Sequence, residues 1–166
     1  MAEMAEQALS EEELAELSVR CLTLELHGVK LLLPNTLVAE VAETIEVTAA
    51  ANTPDWLSGF ISWRGRTIPL VSFEHLLGKD TIGRHDESRM VVLNTLNNNP
   101  RIPFIALEIQ GLPHLSLLKH GMLEYDENNT LDEPVVLSGL RLDGEALVVP
   151  NIDAIERMLE NLGISA

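Results

Sequence analysis

Cationic residues are scarce in this sequence of 166 residues. Lys and Arg number 11 against 26 Asp and Glu, which gives a formal net charge of −15 at pH 7. A chain of this charge is repelled by nucleic-acid phosphates, and the same sign argues against docking on anionic lipid through a basic patch. We therefore expect no nucleic acid among its partners.

Cysteine and long apolar runs are also missing. Cys21 is the single cysteine, which excludes an internal disulfide framework and a CxxC site and fits a reducing cytosol. No apolar run approaches the roughly 18 residues of a membrane helix. The segment Met1 to Glu13 is acidic and lacks the basic and apolar regions of a secretory signal. These absences predict a cytoplasmic protein without direct membrane insertion.

The sequence lacks recognisable catalytic and metal-binding motifs. No GxSxG, GxxxxGK[ST] or GxGxxG segment occurs. The five histidines show no HxH or HExxH spacing, and they are His27, His75, His85, His114 and His120. We expect a protein that is not an enzyme and needs no cofactor or metal. A small hydrolase using His75 or His120 with nearby carboxylates is the alternative from a different class.

Aromatic residues make up only 4% of the chain, so its core must consist mainly of Leu, Val and Ile. These residues alternate with polar ones, which predicts an all-β fold. Leu22, Leu24 and Leu26 indicate a half-buried strand, and Gly28 turns the chain into a second strand that ends at Pro34. Further strands are expected around residues 45–47, 61–63, 68–71, 90–93, 104–109 and 147–149.

Helical signals are confined to short segments. Ser10 and Glu13 have the spacing of a capping box, which predicts a helix over 11–18 in an acidic leader. The leader is either a docking arm or a solvated extension. Asn35 is expected to cap a short turn through Val38 and Val41. Asp153 is expected to cap a closing helix whose apolar face carries Ile155, Leu159 and Leu162.

A weak internal repeat links the two halves of the sequence. Leu-Ser-Gly occurs at 57–59 and again at 137–139, each time before a strand and a glycine turn, Arg64-Gly65 or Asp143-Gly144. In both halves a strand with a proline and a helical segment follow. The pattern predicts two similar β units, each a small barrel without exposed edges, packed side by side with a groove between them.

Each unit also has a candidate hairpin upstream, at 21–33 and at 90–109. The polar stretch from Lys79 to Arg89 is the best candidate for the connection between the halves.

The remaining candidates for function are side chains of a binding surface. Trp56 and Trp63 are the only tryptophans, and either is a core anchor or an interaction hot spot. Arg64 is either a turn-stabilising residue or a planar fork that holds a partner's carboxylates or carbonyls. Cys21 is expected to be a buried and inert thiol.

These residues resemble the CheW-like domain family. The segment Pro54 to Gly78, PDWLSGFISWRGRTIPLVSFEHLLG, is similar to its Arg-Gly hairpin signature. Leu33-Pro34 and the segment Val38 to Val41 resemble its upstream elements, and the segment Val136 to Gly144 resembles its second glycine-centred hairpin. Among relatives, the chain looks most like accessory CheW-like proteins of pilus-associated chemosensory systems, such as ChpC.

The resemblance implies two five-stranded SH3-like barrels packed side by side, with short N- and C-terminal helices. It divides the chain into an acidic helical extension, 1–19, and a single CheW-like domain, 20–162. That domain consists of two barrel subdomains, approximately 20–85 and 86–162, with exchange of strands allowed.

The resemblance also implies a scaffold that couples the cytoplasmic tip of a chemoreceptor to the regulatory domain of a CheA-type histidine kinase, with a role in type IV pilus motility. Ile45 and Val47 are assigned to the kinase side. The residues assigned to the receptor groove are Val38, Glu40, Gly59, Ile61, Trp63 and Arg64.

Three departures from the family's pattern bear on partner choice. Ser72 stands where the family usually has Asp, and the family's Gly-x-x-Val-Asp element is reduced to the segment Gln110 to Pro113. The acidic leader has no standard counterpart. The alternative function is a receptor-binding assembly protein that does not bind the kinase.

Overall fold

The computed structural model describes residues 10–43, 46–79, 88–127 and 134–164. A 3-10 turn covers Asn35–Leu37. The helices are α1 (Glu11–Glu16), α2 (Phe73–Leu76) and α3 (Ile152–Asn161). The strands are β1 (Ser18–Leu26), β2 (Val29–Pro34), β3 (Val38–Ala42), β4 (Val47–Thr48), β5 (Leu57–Trp63), β6 (Arg66–Val71), β7 (Ser88–Asn94), β8 (Phe104–Lys119), β9 (Leu123–Tyr125), β10 (Val136–Leu142) and β11 (Glu145–Pro150). The mostly β architecture with short helices is confirmed.

Local signals in the sequence act as expected at the start of the described chain. The Ser10 backbone N–H donates to the Glu13 carboxylate at 2.8 Å, and the Glu13 N–H donates to the Ser10 hydroxyl at 3.2 Å. This reciprocal capping box begins α1. The β1–β2 hairpin turns at Gly28, whose φ of +74° suits glycine. β1 already begins at Ser18, inside the expected extension.

The strands join into one sheet that forms two lobes. Lobe one comprises β3 to β7 and the first part of β8, and lobe two comprises β1, β2, β9 to β11 and the second part of β8. Each lobe contains one parallel contact, β6 with β8 in lobe one and β2 with β11 in lobe two. The described strands of lobe one therefore fall between residues 38 and 110, and those of lobe two fall within 18–34 and between 110 and 150.

β8 is the strand that belongs to both lobes. Gln110 lies opposite Ser88 of β7 and also opposite Glu25 of β1. Before it, β8 pairs with β6 and β7, and after it, β8 pairs with β1. Gly111 has a φ of +63°, and the strand passes from one lobe to the other at this residue.

The internal repeat is present in the structure. β5–β6–α2 and β10–β11–α3 have the same order, and each first strand has a register shift within its Leu-Ser-Gly segment. The upstream hairpins are exchanged between the units, because β2 pairs with β11 and β8 pairs with β6. The strands of the two lobes thus interleave along the chain.

The described strands do not pair into closed rings. β4 and β9 stand at the two ends of the strand order. The closure of each lobe into a five-stranded barrel therefore stays a prediction.

Three apolar clusters fill the fold. A central core lies between the lobes and is covered by α2 and α3, with Phe73, Leu24, Ile105 and Ile155 fully buried. Lobe one has its own interior around Ile61, Trp63 and Ile68. Lobe two has a smaller interior of Cys21, Leu32, Leu118 and Leu147. Each fully buried Leu or Ile stabilises the fold by about 1.5–3 kcal/mol relative to exposure.

Several local expectations are corrected. Val38 and Val41 lie in strand β3, since pairing with β7 outweighs the helical spacing of these valines. The cap of α3 is Asn151, whose side chain accepts from the Ala154 N–H, and not Asp153. Leu162 follows the helix and is 43% exposed.

Other expectations fall at the limits of the described chain. Arg89 lies in β7 and not in the connection, most of which lies outside the described residues. None of the helices in the described part of the chain is long and apolar enough to cross a bilayer.

Candidate partner-binding site

The site forms where the tip of the β5–β6 hairpin meets β3. Glu40 of β3 accepts a hydrogen bond from Trp63 Nε1 at 2.8 Å on its Oε2 atom. The same oxygen pairs with Arg64 Nη2 at 3.1 Å. The Arg64 guanidinium carbon lies 4.8 Å from the centroid of the Trp63 ring. One carboxylate oxygen thus fixes both a buried indole and an exposed guanidinium.

A second aromatic ring packs against Trp63. Phe104, the first residue of β8, lies edge-on to Trp63 with ring centroids 4.8 Å apart and planes at 65°. The Arg66 guanidinium lies 5.9 Å from the Phe104 ring centroid. Trp63 itself is only 7% exposed, so it is a core residue whose polar edge positions Glu40.

Arg64 adopts a backbone conformation that is unfavourable for arginine. Arg64 and Gly65 have φ values of +49° and +74°, as a two-residue hairpin turn requires. The corresponding turn of lobe two has Asp143 at +51° and Gly144 at +79°. Asp tolerates this conformation better than Arg, for which the left-handed region costs about 1 kcal/mol.

The exposed part of the site is small and charged. The Arg64 side chain is 67% exposed and the Glu40 side chain 39% exposed. Their ion pair contributes at most about 1 kcal/mol at this exposure, and the guanidinium–indole contact a similar amount. Arg64 keeps further N–H donors beyond the one that faces Glu40.

The other residues assigned to the receptor groove lie apart from this surface. Ile61 is 1% exposed in the interior of lobe one, and Val38 packs against the central core. A Cβ on the buried Gly59 would lie 2.3 Å from the Thr48 carbonyl oxygen and 2.9 Å from Val47 Cγ1. Gly59 therefore lets β4 approach β5. The structure brings Glu40, Trp63 and Arg64 together, whereas Gly59 and Ile61 are buried and Val38 is half-buried.

On the kinase side, Val47 lies in β4 and is half-buried against the interior of lobe one. Ile45 lies outside the described residues. Among the described strands, β4 stands at the end of the strand order and pairs with β5 alone. An end strand of this kind presents backbone groups to which a partner strand can pair.

Phe104 and Arg66 are members of the site that the sequence did not indicate. Arg66 faces Trp63 across the hairpin register, which an exact turn assignment could have revealed. Phe104 is about forty residues away along the chain, and no local pattern places it under Trp63.

The polar groups elsewhere do not form a catalytic arrangement in the described chain. Ser72 Oγ lies 2.8 Å from His75 Nδ1, but Ser72 is 5% exposed and is the N-cap of α2. No group of three His, Cys, Asp or Glu side chains among the described residues is placed to hold a metal ion. Burial raises the pKa of the Cys21 thiol, which keeps it neutral.

Comparison with known proteins gives a family and a fold. The sequence profile of the CheW-like domain matches residues 20–160. The chain is similar to the crystal structure of scaffolding protein TtCheW from Thermoanaerobacter tengcongensis, with a TM-score of 0.69 and 19% sequence identity. That similarity covers 81% of this chain and 90% of the other. No curated protein sequence matches the chain.

Proposed function

Because this chain belongs to the CheW-like domain family of non-catalytic chemosensory scaffolds, we propose that it couples a chemoreceptor to a histidine kinase. The partners are the cytoplasmic tip of the receptor and the regulatory domain of a CheA-type kinase. The protein acts in the cytoplasm, where both partners are accessible.

The observation that carries the proposal is the conformation of Arg64. Its φ of +49° is unfavourable for Arg, whereas Asp143 occupies the corresponding turn of the other lobe. The ion pair with Glu40 and the contact with Trp63 hold the guanidinium in one place at the hairpin tip. A fixed, exposed guanidinium suits recognition of carboxylate or carbonyl groups on a receptor.

The mechanism is thermodynamic coupling between two faces of lobe one. The receptor contacts Arg64 and Glu40 at the hairpin tip, and the kinase contacts the edge at β4, with Val47 and Ile45. A scaffold that binds both partners raises their effective concentration. If binding of one partner changes the affinity of the scaffold for the other, binding of the second changes the affinity for the first by the same factor.

We also propose that the system is a pilus-associated one. The acidic leader and the change of the Gly-x-x-Val-Asp element to the segment Gln110 to Pro113 favour a specialised receptor and kinase. In the structure this segment lies where β8 passes between the lobes.

The test is a calorimetric titration of the purified protein with the kinase regulatory domain and, separately, with receptor-tip fragments from the same source. We expect dissociation constants in the micromolar range, near −8 kcal/mol at about 1 μM. Arg64→Glu weakens receptor binding at least about tenfold. Arg157→Glu is the matched control, since Arg157 is 72% exposed and paired with Asp153 at 2.9 Å on α3.

The outcomes separate the possible functions. Loss of receptor binding in a folded Arg64→Glu protein, with Arg157→Glu unchanged, supports the site. Receptor binding without kinase binding supports the assembly protein instead. Binding to neither partner contradicts the proposal.

A further inference from the structure

Arg66 is an exposed cation beside the candidate site, and no carboxylate among the described residues pairs with it. It lies directly opposite Trp63 in the β5–β6 register, so the two side chains extend from the same face of the hairpin. Its guanidinium carbon lies 5.9 Å from the centroid of the Phe104 ring. The ion pairs of the described chain involve other cations. An aromatic ring therefore holds Arg66, and its N–H donors are available to a partner.

Arg64 and Arg66 lie against two aromatic rings that contact each other. The Arg64 guanidinium carbon is 4.8 Å from the Trp63 ring centroid, and the centroids of Trp63 and Phe104 are themselves 4.8 Å apart. The face of an aromatic ring attracts a guanidinium electrostatically, so each ring restricts the cation beside it. The tip of the β5–β6 hairpin therefore presents two guanidinium groups that are both held by rings.

The local charge of this cluster is opposite to that of the chain. Glu40 pairs with Arg64, whereas Arg66 adds a positive charge that no described carboxylate neutralises. The net charge of the whole chain is −15. Most of the protein therefore repels an acidic segment of a partner, and the hairpin tip attracts it. Charge complementarity favours an acidic occupant at this place.

We propose that Arg66 is a second anchoring residue of the partner-binding site, and that the receptor segment bound there carries two acidic side chains. One carboxylate pairs with Arg64 through the N–H groups that do not face Glu40, and the other pairs with Arg66. Phe104 is a positioning residue, because it acts on the partner through Arg66. This inference rests on the proposed function, to which it adds the chemistry of the recognised segment.

The first experiment uses a short acidic peptide and does not depend on a receptor. The probe is hexaglutamate with blocked ends, and hexaglutamine is its neutral control. Trp56 and Trp63 are the two tryptophans of the chain, so an NMR spectrum of isotope-labelled protein contains two indole N–H signals. The Trp63 indole N–H faces Glu40 inside the site. Trp56 packs against the central core and serves as the internal reference.

We expect hexaglutamate to shift the Trp63 indole signal in a saturable way and hexaglutamine to leave it in place. Arg66→Gln raises the dissociation constant for hexaglutamate about fivefold, and the double variant with Arg64→Gln loses binding. Arg101→Gln is the matched control, because Arg101 is an exposed residue of a turn and its loss changes the net charge equally. Absence of a saturable shift overturns the proposal. An unchanged constant in Arg66→Gln, or equal weakening by Arg101→Gln, overturns it as well.

Phe104→Leu tests the positioning role through its coupling to Arg66. Leucine keeps apolar packing against Trp63 but offers no ring face to the guanidinium. In this background Arg66→Gln should weaken hexaglutamate binding by less than about twofold. A purely structural role of Phe104 would lower stability and leave the full effect of Arg66→Gln, which would contradict the positioning role. Arg66→Gln alone decides the anchoring role even if Phe104→Leu does not fold.

Titration with receptor-tip fragments separates this inference from the proposed function. Receptor binding that is weakened in Arg66→Gln and unchanged in Arg101→Gln supports both. Receptor binding that is equal in Arg66→Gln and the unmodified protein contradicts the inference and leaves the proposed function standing. Binding of hexaglutamate without binding of receptor or kinase contradicts the proposed function, whereas it supports the two-guanidinium surface.

Discussion

The indole of Trp63 donates a hydrogen bond of 2.8 Å to the carboxylate of Glu40, although their strands share no backbone pairing in the described sheet. β5 pairs with β4 and β6, whereas β3 pairs with β7. This bond and the Arg64–Glu40 ion pair therefore tie the tip of the β5–β6 hairpin to β3.

We expect Trp63→Phe to separate packing from this bond. Phe keeps most of the apolar contact with Phe104 but has no N–H, so the free energy of unfolding falls by about 1–2 kcal/mol. Urea denaturation followed by circular dichroism measures the change. Trp56→Phe is the control, because Trp56 is half-buried against the central core, away from Glu40. Equal losses in both variants would show that ring size alone matters.

The two hairpin turns predict different effects of substitution at their first turn residue, Arg64 or Asp143. Arg64→Asn removes an exposed ion pair but relieves an unfavourable φ, so stability changes by less than about 1 kcal/mol while receptor binding is lost. Asp143→Arg places Arg in the same left-handed conformation and costs about 1 kcal/mol. Urea midpoints test both. A loss of several kcal/mol for Arg64→Asn would mean that Arg64 serves the fold and not a partner.

Gly59→Ala should be far more costly than the same change at another glycine with a positive φ. A Cβ at Gly59 would meet the Thr48 carbonyl oxygen at 2.3 Å, whereas none would meet an atom within 4 Å at Gly144. We expect losses of about 3 kcal/mol at Gly59 and about 1 kcal/mol at Gly144. Equal losses in thermal or urea unfolding would refute the close approach of β4.

Glu156 should make stability depend on pH. It is fully buried, and desolvation raises its pKa, although the Leu96 N–H and the Asn97 amide donate to its Oε2. The carboxylates of Asp153 and Glu160 on the same helix raise it further. The native state therefore holds this proton to higher pH than the unfolded chain does.

The sign follows from that difference. Stability from this group is greatest below the ordinary pKa of a glutamate and falls as the pH rises through the raised native pKa. Glu156→Gln should flatten the pH dependence in that window, measured as the free energy of unfolding between pH 4 and pH 8. Glu12→Gln, at an exposed position of α1, is the control. An unchanged slope in Glu156→Gln would contradict this account.

Local structure was predictable from sequence because its causes are local. The capping box at Ser10, the turns at Gly28 and Arg64-Gly65, and the alternation of Leu22 to Leu26 each depend on neighbouring residues. Ser72 is also explained locally. It caps α2 by accepting from the His75 N–H, and Asp and Ser both serve well as N-caps.

Non-local structure was not predictable in the same way. The valines of β3 have helical spacing, and only their pairing with β7 makes them a strand. Phe104 supports Trp63 from across lobe one, and Gln110 faces both Ser88 and Glu25. These contacts depend on the exchange of hairpins between lobes, which the repeat in the sequence did not reveal.

The strand shared by both lobes has a consequence for biosynthesis. Lobe one is continuous in sequence and can assemble once the chain has been made to Gln110. The β1–β2 hairpin is synthesised first, yet its partners in the second part of β8 and in β11 are made last. The β1–β2 hairpin therefore keeps its apolar faces unpaired during synthesis. In a truncated chain ending near Gln110 these faces would stay exposed, and chaperones and proteases would recognise them.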